Sequence, residues 1–174
     1  WVVQTVCEQI RKWERQGLLL HPISVNLSAR QFQQRDLDDV IGNTLKTTGI
    51  DPRLLEFELT ESVLMKEAEV AANALQNLKA FGVQISMDDF GTGYSSLEIL
   101  RRFPFDKVKL DKSLVDDIEV NPQSLAILHA MLELGRQLSI PILVEGVETE
   151  RQLSILRKEG CNKVQGYLTG RPAP

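Results

Sequence analysis

Asp88 and Asp89 stand side by side in the stretch Met87-Asp88-Asp89-Phe90-Gly91-Thr92-Gly93-Tyr94. Adjacent carboxylates repel one another unless a cation neutralises them. A set of oxygen donors favours a hard divalent ion such as Mg²⁺ or Mn²⁺. Aspartate and glycine are equally at home in a solvated turn, so the pair alone leaves two readings open. Asn26, Glu58, Lys109, Glu145 and Gln165 tip the balance. With Asp88 they are spaced by 32, 30, 21, 36 and 20 residues, each close to one strand-plus-helix unit. Each also has a plain local reading. Asn26 could cap a turn, Glu58 and Glu61 could be exposed charges favoured at a helix start, and Glu148 could brace the loop around Gly146. Lys109 is harder to set aside, because an ammonium on an apolar strand needs a partner.

If these groups meet, their charges define the chemistry. Carboxylates and an amide can hold one or two hard ions, which lower the pKa of a bound water and neutralise phosphate oxygens. Lys109 could orient the attacking water or stabilise charge developing on phosphorus. Metal-assisted phosphodiester hydrolysis is one destination; other metal-dependent reactions, enolisation among them, fit the same groups. Lysines and arginines are scattered and the formal net charge is −4, so no basic stripe marks a nucleic acid polymer as partner. A small phosphodiester is the better match; Tyr94 in the glycine loop reads first as a packing residue, with contact to such a ligand as the alternative.

Rival motifs lack their companions. Asp89-Phe90-Gly91 matches the kinase triplet, but no glycine-rich ATP loop or catalytic-loop signature accompanies it. His21 and His129 are the two histidines, one beside a proline and one mid-helix, which gives a triad or zinc site no support. Trp1 and Trp13 read as packing residues.

The elements that must position these side chains follow from periodicity. Val2, Val6, Ile10 and Trp13 mark an amphipathic helix that Gly17 stops. Strands are expected at 22–27, 54–59, 83–86, 105–110, 140–144 and 163–165. Between them lie helices marked by Leu37, Val40, Ile41 and Leu45, by Leu64, Ala71, Leu75 and Leu78, by Leu97 and Leu100, and by Leu125, Leu128, Met131, Leu132 and Leu138. Asn121-Pro122 and Thr149 with Gln152 are helix starts. Six strand-then-helix units with apolar strands predict a parallel sheet covered by helices. Polar groups recurring at strand ends favour a (β/α)₈-type barrel over a doubly wound sheet.

With 174 residues and 43% hydrophobic content, one globular domain is expected. Its apolar runs are far shorter than the roughly 20 residues of a membrane span. Cys7 and Cys161 are too far apart to suggest a framework or a zinc motif, which suits a reducing, cytoplasmic setting.

Six stretches carry a resemblance. They are Ser24-Val25-Asn26-Leu27-Ser28-Ala29-Arg30-Gln31-Phe32, Glu58-Leu59-Thr60-Glu61, Asp88-Asp89-Phe90-Gly91-Thr92-Gly93, Lys107-Val108-Lys109-Leu110-Asp111, Glu145-Gly146-Val147-Glu148 and Gln165-Gly166-Tyr167. In content and order they resemble the EAL domain family, the bacterial cyclic di-GMP phosphodiesterases, over essentially the whole chain. The resemblance implies an α/β fold, a TIM-like barrel of the EAL type. It implies hydrolysis of cyclic di-GMP to linear pGpG with one or two Mg²⁺ or Mn²⁺ ions, Ca²⁺ being inhibitory.

By motif, Asn26, Glu58, Asp88 and Asp89 would be metal ligands and Lys109 would help activate water. Glu145 would contact the metal or its water, or act as general base, with Gln165 nearby through water. Glu61 would hold the loop containing Gly91 and Tyr94. Glu148 would support the site and its coupling to a dimer interface, and Asp111 would lie in the surrounding shell. A homodimer is implied, as is fusion to sensor or GGDEF-type domains in a parent protein whose membrane anchoring the sequence leaves open. The Glu-Ala-Leu signature itself is not among these residues. Residues 1–174 are therefore expected to form the C-terminal two-thirds or so of a single EAL domain, carrying strands 3 to 8 with the first two absent, and with metal affinity and catalysis weakened or lost. A catalytically inactive cyclic di-GMP receptor or interaction module is the alternative.

Overall fold

The computed structural model describes residues 1–32, 36–66, 68–91 and 97–172. Strands and helices alternate along the chain: α1 (Val2–Arg15), β1 (Ile23–Asn26), α2 (Ala29–Phe32), α3 (Leu37–Thr48), β2 (Leu55–Thr60), α4 (Glu61–Lys66), α5 (Ala68–Ala80), β3 (Gln84–Phe90), α6 (Leu97–Arg102), β4 (Lys107–Leu110), α7 (Pro122–Leu138), β5 (Ile142–Val144) and α8 (Glu150–Lys158). The strands form one sheet in the order β1-β2-β3-β4-β5, so each neighbour in sequence is a neighbour in space. Parallel pairing between consecutive strands is what intervening helices permit.

The contacts divide into two compact units, Trp1–Ser86 with Leu97–Phe105, and Met87–Ser96 with Asp106–Pro174. In the first, β1 and β2 pair in parallel from Ile23 opposite Leu55 to Asn26 opposite Glu58. Its core holds Ile10, Ile41, Leu55, Phe57, Leu59, Leu64, Leu75 and Leu78. In the second, β4 and β5 pair in parallel from Val108 opposite Ile142 to Leu110 opposite Val144. Its core includes Met87, Phe90, Val108, Leu110, Leu128, Val144 and Leu156.

Helix boundaries obey local chemistry. Asn121 accepts a hydrogen bond from the Gln123 N–H, with Pro122 at the first helical position of α7. Thr149 and Gln152 form the reciprocal capping box of α8. The expected sixth strand, 163–165, shrinks to a single parallel bridge between Val144 and Val164. The next residue explains why: a Cβ on Gly166 would lie 2.2 Å from the Val147 carbonyl oxygen. The chain there turns in against the loop after β5 instead of extending the ladder.

Several packing expectations are corrected. Trp1 is 91% exposed, so it is no core residue, and Val40 is 48% exposed while Leu37, Ile41 and Leu45 are buried. Among the described residues no helix is long and apolar enough to cross a membrane.

Candidate metal centre

The principal charged groups all belong to the second unit. β3 ends in Asp88, Asp89 and Phe90, β4 carries Lys109, and Glu145 follows β5 directly. The backbone fixes that last placement, because the Glu145 N–H donates to the Leu110 carbonyl at 3.0 Å. Lys109 Nζ then lies 3.1 Å from Asp88 Oδ1 and 2.7 Å from Glu145 Oε1. The Lys109 side chain is only 8% exposed, so these contacts are shielded from water.

Asp89 joins the same cluster for a conformational reason. In a regular strand neighbouring side chains point to opposite faces, which would separate Asp88 from Asp89. Asp89 instead has φ of 55°, a left-handed conformation that aspartate adopts more readily than most residues. One carboxylate oxygen from each of Asp88, Asp89 and Glu145 accordingly lies within 4.8 Å of the other two. Three carboxylates against one ammonium leave these four groups short of positive charge. Asp88 Oδ1 is buried without a hydrogen bond, touching Lys109 only as an ion pair outside hydrogen-bond geometry. Clustered hard oxygen donors, surplus negative charge and a buried carboxylate oxygen with spare acceptor capacity all fit a divalent cation.

The loops beside the cluster meet a short 3-10 turn, Lys112–Leu114. Gly91, with φ of 102°, packs so closely that an added Cβ would lie 2.6 Å from Leu114 Cδ1. Gly146 abuts Lys112, where a Cβ would come within 2.2 Å of the lysine Cβ. Asp111 caps that turn, accepting from the Ser113 N–H at 2.9 Å. Burial works against ionising Asp111, but the hydrogen bonds it accepts from Ser113 and Lys112 outweigh it and hold its carboxyl below the usual aspartate range. The structure thus gives Asp111 a turn-holding task.

The remaining expected residues are distributed as follows. Asn26 and Glu58 face each other in register at the ends of β1 and β2, in the first unit, with Glu58 buried. Glu61 opens α4. Glu148 is exposed, and its backbone N–H donates to Gln152 Oε1 at 2.8 Å. Gln165 is exposed too, while its backbone donates to Val144 and accepts from Val147. Tyr94 lies outside the described residues. His21 is exposed, and His129 Nδ1 pairs with Glu159 Oε2 at 2.6 Å.

Glu56 is the residue that periodicity passed over. The alternation Leu55-Glu56-Phe57-Glu58-Leu59 suggests a strand with one wet face, yet Glu56 is 2% exposed and accepts from Ser24 Oγ at 3.1 Å and Ser86 Oγ at 2.8 Å. A usable signal was present: Ser24, Glu56 and Ser86 each stand two residues before Asn26, Glu58 and Asp88.

Comparison with known proteins places this geometry. A family profile described as EAL domain matches residues 1–172. An uncharacterized signaling protein of Caulobacter vibrioides is 48% identical over 174 residues, which cover 100% of this chain and 21% of that protein. The bifunctional diguanylate cyclase/cyclic di-GMP phosphodiesterase MucR of Pseudomonas aeruginosa is 43% identical, with 100% of this chain matched to 25% of MucR. The solved MucR phosphodiesterase in complex with c-di-GMP superposes with a TM-score of 0.92 at 43% identity, covering 100% of this chain and 70% of that one. Klebsiella pneumoniae BlrP1, solved with c-di-GMP and either manganese or calcium, has a TM-score of 0.87 at 28% identity, covering 98% of this chain and 44% of that one. The chain spans about a fifth to a quarter of the length of the curated relatives it matches.

Proposed function

Because the chain belongs to the EAL domain family, TIM-like barrels of bacterial signalling proteins, we propose that it is a phosphodiesterase that opens cyclic di-GMP to linear pGpG. The observation that carries this reading is the cluster of Asp88, Asp89 and Glu145 around the buried Lys109 ammonium. Asp88 and Asp89 would hold Mg²⁺ or Mn²⁺, with Asn26 and Glu58 as further ligands from the ends of β1 and β2. When bound, the ion supplies Lewis-acid chemistry, activating water and neutralising phosphate oxygens.

The protein's own groups then have definite tasks. Lys109, steered by two carboxylates, can only donate; it orients a water and offsets charge growing on the phosphoryl oxygens. Glu145 serves as a ligand or accepts the proton that the water gives up. The water oxygen bonds to phosphorus, a ribose ester P–O bond breaks, and the departing oxygen takes the proton. Gln165 approaches through water, Glu61 steadies the loop that contains Gly91, and Glu148 links the site to a homodimer interface. Ca²⁺ accepts looser coordination than Mg²⁺ and is inhibitory in this reading. Fusion to sensor or GGDEF-type domains accords with relatives much longer than this chain. A cytoplasmic setting suits its two buried, unpaired cysteines.

The test is to incubate the purified chain with cyclic di-GMP and Mn²⁺, following pGpG by chromatography and binding by calorimetry. Turnover with Mn²⁺, and binding without turnover in Ca²⁺, is the expected result. Binding without turnover under every metal would replace the enzyme reading with that of a receptor. Neither binding nor turnover would end both.

A further inference from the structure

Glu56 is a carboxylate where a hydrophobic residue would be cheaper. It is 2% exposed in a strand buried along five of its six residues, and burying a carboxylate carries a large desolvation penalty. Its Oε1 accepts from two hydroxyls on the strands to either side, Ser24 on β1 and Ser86 on β3. The register puts Ser24 opposite Glu56 and Asn26 opposite Glu58, and residues two apart on a strand share a face. These two hydrogen bonds to Glu56 therefore lie one side-chain layer beneath Asn26 and Glu58.

We infer that Glu56 is a positioning residue: with Ser24 and Ser86 it fixes the lateral spacing of β1, β2 and β3 just below the ligand layer, and so where Asn26 and Glu58 present their donor atoms. The inference rests on the reading of Asn26 and Glu58 as metal ligands. A shared acceptor suits the task, because shifting any one strand breaks or stretches a hydrogen bond to the other two. Ligand sets tolerate displacements of only about 0.5 Å, so a cross-strand tie beneath them, buried at its Ser86 and Glu56 end, governs affinity and not simply stability.

The experiment titrates the purified chain with Mn²⁺ alone, reading free ion by electron paramagnetic resonance and fold by circular dichroism. The unaltered chain comes first, since failure to bind Mn²⁺ would overturn the metal reading and this inference together. Glu56→Leu removes the acceptor and is expected to weaken Mn²⁺ binding roughly 10- to 100-fold, while Glu56→Gln, which keeps an acceptor oxygen, stays within about threefold of the unaltered chain. Should Glu56→Leu not fold, the double variant Ser24→Ala with Ser86→Ala keeps the carboxylate, removes both donors and is expected to bind about 10-fold more weakly. If the unaltered chain binds and the folded variants bind equally well, the inference fails and the metal reading survives. Equal weakening in Glu56→Gln and Glu56→Leu would assign the effect to charge and overturn the hydrogen-bond account.

Discussion

Two ion pairs in this chain close to the same 2.7 Å, Arg53 with Asp51 and Lys109 with Glu145. The Arg53 side chain is 78% exposed, and an ion pair that open to water adds little to stability. Lys109 is 8% exposed and touches two carboxylates. Removing one partner of a buried pair strands the other, at a cost of about 3 kcal/mol or more. Lys109→Met should therefore lower the melting temperature of the metal-free chain and reduce turnover by about 10²- to 10³-fold. It should also make the chain lean harder on a cation, because Asp88 and Glu145 then face each other without the ammonium. Scanning fluorimetry should show a larger Mn²⁺-induced rise in melting temperature for Lys109→Met than for the unaltered chain. An equal or smaller rise would place the ion away from this cluster.

At the scale of elements, the turn after β4 carries more than its length suggests. Lys112 and Leu114 fill the spaces left by Gly146 and Gly91, and Asp111 holds the turn through Ser113. The folded pKa of Asp111 is depressed, so its contribution is present above the unfolded aspartate value of about 3.9 and is lost as pH falls through the folded value. Asp111→Ala should cost about 1 kcal/mol at pH 7, and urea midpoints of variant and parent should converge once the pH has fallen below the depressed folded value. A gap persisting there would mean that the carboxylate charge is not what holds the turn. The sequence motif marked Asp111 as notable, but its task depends on what packs on the turn, and spacing carries no record of that. Packing also sets α1's buried stripe on Cys7 and Ile10, because a free thiol packs as a small apolar group. Val40 is exposed because α3 buries the narrower line Leu37, Ile41 and Leu45.

Across the whole molecule, strand-then-helix alternation was enough to anticipate a parallel sheet in chain order. A lone charge ending an apolar strand was enough to single out Asp88, Lys109 and Glu145. Two things lay beyond it: the left-handed turn at Asp89 that brings adjacent carboxylates together, and the burial of Glu56 behind an alternation that imitates a wet face. The two compact units each contain one buried free thiol, Cys7 in the first and Cys161 in the second, and these make the metal reading testable without substrate. Burial, aided by Glu8, pushes the Cys7 thiol up to about 11, and burial raises Cys161 as well. Alkylation must therefore wait for local opening that frees the thiolate. A ligand held only by the closed form suppresses opening in proportion to its saturation, by about 100-fold at 100 times its Kd. Saturating Mn²⁺ should thus slow iodoacetamide labelling of Cys161 in mild urea by about that factor, read by mass spectrometry. Cys161 labelling indifferent to Mn²⁺ would mean that Asp88, Asp89 and Glu145 do not hold the ion.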